Sequence, residues 1–305
     1  MADAPSLVEI DGRELKLSNL DKVLYPETGY TKGEVIDYYA RVAPAMLPHV
    51  SDRCVTFRRF PNGVDGKSFF EKRCPSHRPG WVEVALGPGD RTGPVEYCRL
   101  DDRPALVWAA NLAALELHTP MALADDIESP RMVVFDLDPG APAAMTECAV
   151  VAVEIQDALD HLGFELWAKT SGSKGLQLYL PLNTPHSHEQ CSQFALALAQ
   201  LMEKQHPDLV VSNMKKDLRH AKVLIDWSQN SRHKTTVCAY SLRARPHPTV
   251  STPVTWDEVA DAADGAPLSF EAAEVLERVE SRGDLFADTA TVQQELPTAT
   301  TVNPR

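Results

Sequence analysis

The chain has 305 residues, 44% of them hydrophobic, enough for one large domain or two small ones with a sizeable core. Its formal net charge of -13 weighs on its face against nucleic acid, but that charge is unevenly spread. Residues 53–78 hold seven Lys or Arg against two acids and residues 212–247 hold eight against two, while residues 248–305 hold eleven acids and three arginines; local basic surface is what meets phosphate.

The N-terminal stretch MADAPSLVEIDGREL is acidic and lacks the apolar core of a signal peptide. No run approaches the roughly 18 to 20 apolar residues of a membrane span, so a cytoplasmic location is expected. Thr31 followed three residues later by Glu34 is a capping box, and Val35, Ile36, Tyr39, Val42, Met46 and Leu47 recur behind it at helical spacing. A helix is predicted over about 32–47. In chain order there follow a strand at 54–60, a helix at 104–117, a strand at 131–137, a helix at 145–162, strands at 164–170 and 175–180, a helix at 187–204 and a strand at 222–227. This is a mixed α/β order. From 285 onward, LFADTATVQQELPTATTVNPR has no periodicity and is rich in Thr, Ala and Pro, so residues 287–305 are expected to form a disordered tail behind a domain over 1–286. The six cysteines (54, 74, 98, 148, 191 and 238) are scattered with no C-x-x-C pair, and reduced, packed thiols are expected.

The run VVFDLDPG, residues 133–140, ends an apolar strand with two carboxylates. Alternation sends Asp136 and Asp138 to one face, their Cα atoms roughly 6.6 Å apart at ~3.3 Å per residue. Like charges so placed repel unless a cation lies between them, and hard divalent ions prefer oxygen ligands. Residues 169–182, KTSGSKGLQLYLPL, place a Ser- and Gly-rich turn between two apolar runs, its amides, hydroxyls and Lys174 suiting a phosphate chain. In RHAKVLIDWSQN, residues 219–230, Asp226 closes another apolar run and becomes a third candidate ligand, the number expected where two metal ions activate phosphoryl transfer.

FDLDPG, TSGSKGL, VLIDWSQN and YSLRARPHPTV, with the upstream NLDKVLYPETGYTKGEVIDYY and NGVDGKSFFEK, closely resemble the polymerase domain of bacterial DNA end-joining ligases, within the archaeo-eukaryotic primase superfamily. The resemblance is collinear over roughly residues 7–286. It implies an α+β primase-polymerase fold with mixed or antiparallel sheets carrying the carboxylates. No ligase nucleophile motif Lys-x-Asp-Gly is present, since GVDG at 63–66 lacks the lysine, so a polymerase module standing alone is expected.

The resemblance further implies that Asp136, Asp138 and Asp226 bind two Mn²⁺ or Mg²⁺ ions for attack of a primer 3′-oxygen on a nucleoside triphosphate. It assigns Arg58, Phe69, Phe70, His118, Ser171, Lys174, Gln177, Gln229 and Arg243 to the incoming nucleotide, with the two phenylalanines near base and template. Asn19, Lys22 and Lys32 match a pocket for a downstream 5′-phosphate, and Arg219 and Arg245 match basic residues near the catalytic strands or the DNA. One departure stands out: the family motif S-G-x-K-G-x-H ends here in Gln177, a neutral amide in place of an ionisable ring. The expected function is short-gap DNA repair synthesis with ribo- or deoxyribonucleotides. A primase starting without a primer and a DNA-end binding module with weak or lost catalysis are the alternatives. An aspartyl phosphatase, which shares the apolar-apolar-Asp-x-Asp signature, is disfavoured because Pro139 follows the pair and Trp227 follows Asp226. The partners expected are gapped or broken DNA, nucleoside triphosphates, a separate DNA ligase and the end-bridging protein Ku, acting with a monomer and no membrane.

Overall fold

The capping box at Thr31 opens helix α1 (Lys32–Val50) in the computed structural model, which describes residues 6–90 and 93–297. The Thr31 hydroxyl accepts from the Glu34 amide at 3.2 Å, and the Glu34 carboxylate accepts from the Thr31 amide at 2.7 Å. Removing the cap in Thr31→Ala should cost about 1 kcal/mol, read as a fall of about 2 °C in the unfolding midpoint.

Four antiparallel strands, in the order Thr236–Val237, Ala114–Thr119, Thr56–Arg59, Phe69–Glu71, form one sheet. Its Phe57, Leu115 and Leu117 share a core with Val42 and Met46 of α1 and with Leu106 and Val107 of α2 (Arg103–Asn111). Six strands form the central sheet, in the order Val210–Val211, Val223–Asp226, Met132–Pro139, Leu176–Pro181, Trp167–Thr170, Pro253–Val254. All neighbours are antiparallel except the first pair. The period of two along Met132–Pro139 sends Val133, Phe135 and Leu137 into a second core with helices α3 (Met145–Asp160) and α4 (His188–Gln205). Met132 and Val134 face the other way, into the core of α1 and α2. Asp136 and Asp138 continue that second face where its apolar run ends.

The segment expected as a helix over 104–117 divides in two. Helix α2 stops at Asn111, the chain turns through Leu112 and Ala113 with φ +56° at Ala113, and Ala114–Thr119 is a strand. Beyond Pro104 at its start, the run holds no Gly or Pro to mark the turn, and pairing on both sides of Ala114–Thr119 overrides its helical composition. In the acidic C-terminal region, helices α5 (Trp256–Ala263) and α6 (Ala272–Arg282) pack on the two cores, α5 opened by a Thr255/Glu258 capping box.

The part of the expected disordered tail that lies within the described residues, 287–297, is instead packed. Asn183 Nδ2 donates to Thr289 O at 3.0 Å and to Val292 O at 2.7 Å, Gln294 Nε2 donates to Pro181 O at 2.9 Å, and Leu296 is buried beside α3 and α4. Side-chain amides supply the partners that this segment's composition does not advertise. Residues 298–305 lie outside the described part. Nor are all six cysteines separate: Cys74 and Cys98 are bridged, their Cα atoms 4.9 Å apart, while Cys54, Cys148, Cys191 and Cys238 are buried thiols. The Cys74 amide donates to Glu96 O, a long-range contact invisible in the spacing. Among the described residues no helix is long and apolar enough to cross a membrane.

Candidate active site

In the central sheet Asp136 stands opposite Asp226 on one neighbouring strand and Gln177 on the other. With Asp138, the ligand atoms of the three aspartates lie within 4.8 Å of one another. Burial first, and then the charge of Asp138, push the Asp136 carboxyl above the usual range; burial and the charge of Asp226 do the same to Asp138. Three clustered carboxylates, all hard oxygen donors, are a donor set suited to a divalent cation. Their orientations are set: Asp226 Oδ1 accepts from the Ser228 amide at 3.0 Å and its hydroxyl at 2.6 Å, and Oδ2 accepts from Gln229 Nε2 at 2.9 Å. Gln177 Nε2 donates to Asp136 Oδ1 at 3.0 Å. The charge of Arg219 works against the rise at Asp138, and its guanidinium donates to Met214 O.

The turn over 171–175 abuts this group. The Ser171 hydroxyl accepts from the amides of Ser173 and Gly175 at 3.3 and 3.1 Å, and Lys174 is exposed at the tip. A Cβ on Gly175 would lie 2.0 Å from Leu137 O, so only glycine lets the turn lie against the aspartate strand. Arg243 donates to Ser171 O at 2.7 Å and ties the turn to a cluster centred on Glu116, which is 1% exposed. His118 Nε2 lies 3.0 Å from Glu116 Oε2, Arg58 Nη1 3.3 Å from both its oxygens, and Arg243 Nε 3.3 Å from Oε1. Burial alone would raise the Glu116 carboxyl, but the hydrogen bond from His118 and the charges of Arg243 and His118 hold it well below its usual range. Burial pushes His118 down, against the pull of Glu116.

Phe69 and Phe70 are exposed, 45% and 59%, as a face for stacking requires and a core residue does not. Alternation separates them. Phe70 meets the His118 ring edge-on at 5.7 Å and lies under Arg58, whereas Phe69 lies under Arg59 on the other side of the sheet. Arg245 is exposed in the turn after Arg243.

Asn19, Lys22 and Lys32 come together in a pocket also lined by Ser18, Arg59, Asn62 and Asn111. Lys22 Nζ donates to Pro61 O at 2.5 Å and Lys32 Nζ to Ser18 O at 2.6 Å. Burial, then the charges of Lys22 and Arg59, push the Lys32 ammonium down to about 8, the electrostatic condition of a site that gains from an anion.

Three residues of this region were not singled out in the sequence. Glu116 was hidden in an apolar run taken for a helix, although a lone acid among LAALEL is itself a signal of buried pairing. Arg59 could have been found from alternation, which sends adjacent arginines to opposite faces. Lys169, in the strand Trp167–Thr170, is 1% exposed, and burial pushes its ammonium down to about 7.

A family model described as "LigD, primase-polymerase domain" matches residues 31–286. The chain is 45% identical over 275 residues to a "Multifunctional non-homologous end joining protein LigD" of Mycolicibacterium smegmatis, covering 90% of this chain and 36% of that protein. It is 31% identical over 276 residues to a "Bifunctional non-homologous end joining protein LigD" of Bacillus subtilis, covering 90% and 44%. A solved structure, "Polymerase Domain from Mycobacterium tuberculosis Ligase D in complex with DNA", superposes with a TM-score of 0.85 at 41% identity, covering 92% of this chain and 99% of that one. The chain therefore spans less than half the length of the two curated relatives, and the whole of the solved domain's fold, an archaeo-eukaryotic primase fold of mixed helices and antiparallel sheets, is present in it.

Proposed function

The chain belongs to the LigD primase-polymerase domain family, and on that premise we propose that it is a metal-dependent nucleotidyltransferase of DNA end joining. It extends a primer across short gaps whose downstream strand carries a 5′-phosphate, using ribo- or deoxyribonucleotides. The observation that carries this reading is the cross-strand pairing of Asp136 and Asp226, with Asp138 beside them and the donor-rich 171–175 turn against them. Two Mg²⁺ or Mn²⁺ ions held by these aspartates would supply activation of the primer 3′-oxygen and charge neutralisation on the leaving pyrophosphate.

The chain's own residues do the rest. Ser171, Lys174 and Arg243 bind the triphosphate, where donors and fixed positive charge offset charge spread over the transferring phosphoryl group. Glu116 orients Arg58, His118 and Arg243 around the nucleotide. Gln229 and Gln177 hold Asp226 and Asp136 in place, and Phe70 offers its face to a base. Arg219 and Arg245 supply positive charge along the DNA. The engagement of Gln177 with Asp136 favours synthesis over a binding-only module. The similarity to a solved polymerase domain in complex with DNA supports DNA as the partner. Sealing then requires a ligase activity, because these residues carry no Lys-x-Asp-Gly motif, and Ku is the end-bridging partner that the reading implies.

The test is primer extension across gaps of one to three nucleotides, with and without a downstream 5′-phosphate, in each metal and with each nucleotide type. Phosphate-stimulated extension is expected. In Lys22→Ala and Lys32→Ala the stimulation should fall roughly tenfold, in keeping with charge-assisted hydrogen bonds of about 1.5–3 kcal/mol, while extension at unphosphorylated gaps persists. Tight gap binding with no extension in any condition would sink the polymerase reading.

A further inference from the structure

Four side chains line up across four adjacent strands: Asp226 is paired with Asp136, Asp136 with Gln177, and Gln177 with Lys169. Directly opposed residues on neighbouring strands share a face, so the row runs from two carboxylates through an amide to an ammonium. Lys169 Nζ donates to Gln177 Oε1 at 2.5 Å, to Ser251 Oγ at 2.7 Å and to Val237 O at 3.0 Å. Its three protons are thus spent on three neutral acceptors, an unusual arrangement for a cation 1% exposed.

The arrangement decides which way the Gln177 amide faces. An ammonium can only donate, so it must meet the amide oxygen; the Tyr179 hydroxyl donates to the same oxygen at 3.2 Å. The amide nitrogen is then left to donate to Asp136 Oδ1. Reversed, the amide would set N–H against ammonium and carbonyl against carboxylate, two repulsions in place of two hydrogen bonds.

Resting on the function proposed above, we propose that Lys169 is a positioning residue for nucleotidyl transfer: through Gln177 it fixes the Asp136 carboxylate for the divalent cation without touching substrate. The Gln177 and Lys169 pair thereby acts as a unit, the amide in place of the family's histidine being held to one orientation by the lysine beside it.

The experiment is Mn²⁺ binding, read by the loss of the free-ion electron paramagnetic resonance signal, on the full chain without DNA or nucleotide. It compares Lys169→Met, Gln177→Met and the double variant. Lys169→Met is expected to weaken binding roughly tenfold, the lower end of what loss of an outer partner of a metal ligand costs. In the Gln177→Met background the same substitution should add little, since the path through the amide is already broken. In extension assays Lys169→Met should raise the Mn²⁺ concentration for half-maximal rate by the same factor, with the rate at saturating Mn²⁺ within about threefold of wild type. Unchanged Mn²⁺ binding in Lys169→Met, or effects that multiply in the double variant, overturn the proposal. Should Lys169→Met fail to fold by circular dichroism, Ser251→Ala removes one of the three acceptors: a several-fold loss of Mn²⁺ affinity supports the proposal and none overturns it. Wild type that binds Mn²⁺ in this pattern yet extends no primer defeats the polymerase reading and leaves the row's effect on the metal site standing; wild type that binds no Mn²⁺ defeats both.

Discussion

Asp136→Ala is expected to reduce primer extension by roughly 10³-fold or more, because a metal site supplies several kcal/mol of transition-state stabilisation and each ~1.4 kcal/mol is a factor of ten. The fold should survive. Asp136 lies half-buried between Asp138 and Asp226, and its removal takes a charge out of a mutually repelling group. Thermal unfolding of the metal-free variant should therefore occur at or above the wild-type temperature, while Mn²⁺ should raise it less than in wild type. Asp138→Asn and Asp226→Asn should behave alike. Extension within tenfold of wild type in any of the three would remove the carboxylates from the chemistry.

The largest loss of stability is expected from Glu116→Ala, which leaves Arg58, His118 and Arg243 facing one another around an empty centre. Breaking a buried ion pair from one side costs about 3–5 kcal/mol. Arg58 is 33% exposed, so solvent screens its share and the lower end applies. Urea unfolding at neutral pH would measure it. The acid limb gives a second reading with a definite sign. The Glu116 carboxyl is held below its ordinary value of 4.5, so the native state binds its proton more weakly than the unfolded chain does. Its contribution is then full above about pH 4.5 and is lost as pH falls through the folded value. Glu116→Gln should lower stability at pH 7 and flatten the decline below pH 4.5; an acid limb as steep as that of wild type would show that Glu116 does not carry it.

What could be read in advance follows the range over which each signal acts. The aspartate pair was legible because a period of two needs only Asp136, Asp138 and the apolar residues before them, and α1 because Thr31 and Glu34 are three residues apart. Pairing between strands is another matter. Nothing near Lys169 announces that it will stand beside Gln177, and nothing near Glu116 announces Arg243, 127 residues away. The turn at Leu112 and Ala113 was missed for the opposite reason: local composition favours helix throughout, and the decision belongs to the strands on either side. Lys22 and Lys32 were placed by resemblance to a family, and the structure does bring them together with Asn19, adding Arg59.

The neighbouring arginines on the strand Thr56–Arg59 bear on how a gap is measured. Arg58 serves the Glu116 cluster and Arg59 lines the pocket of Lys22 and Lys32, one peptide apart and on opposite faces of a strand paired on both sides. On the function proposed above, nucleotide and downstream phosphate would be gauged from the two sides of a single ruler, whose length is set by covalent geometry and sheet hydrogen bonds. On that proposal a longer gap held at both ends would have to buckle its template, because the ruler does not stretch, and the stiffness of the nucleic acid would limit how many nucleotides are added before the phosphate is released.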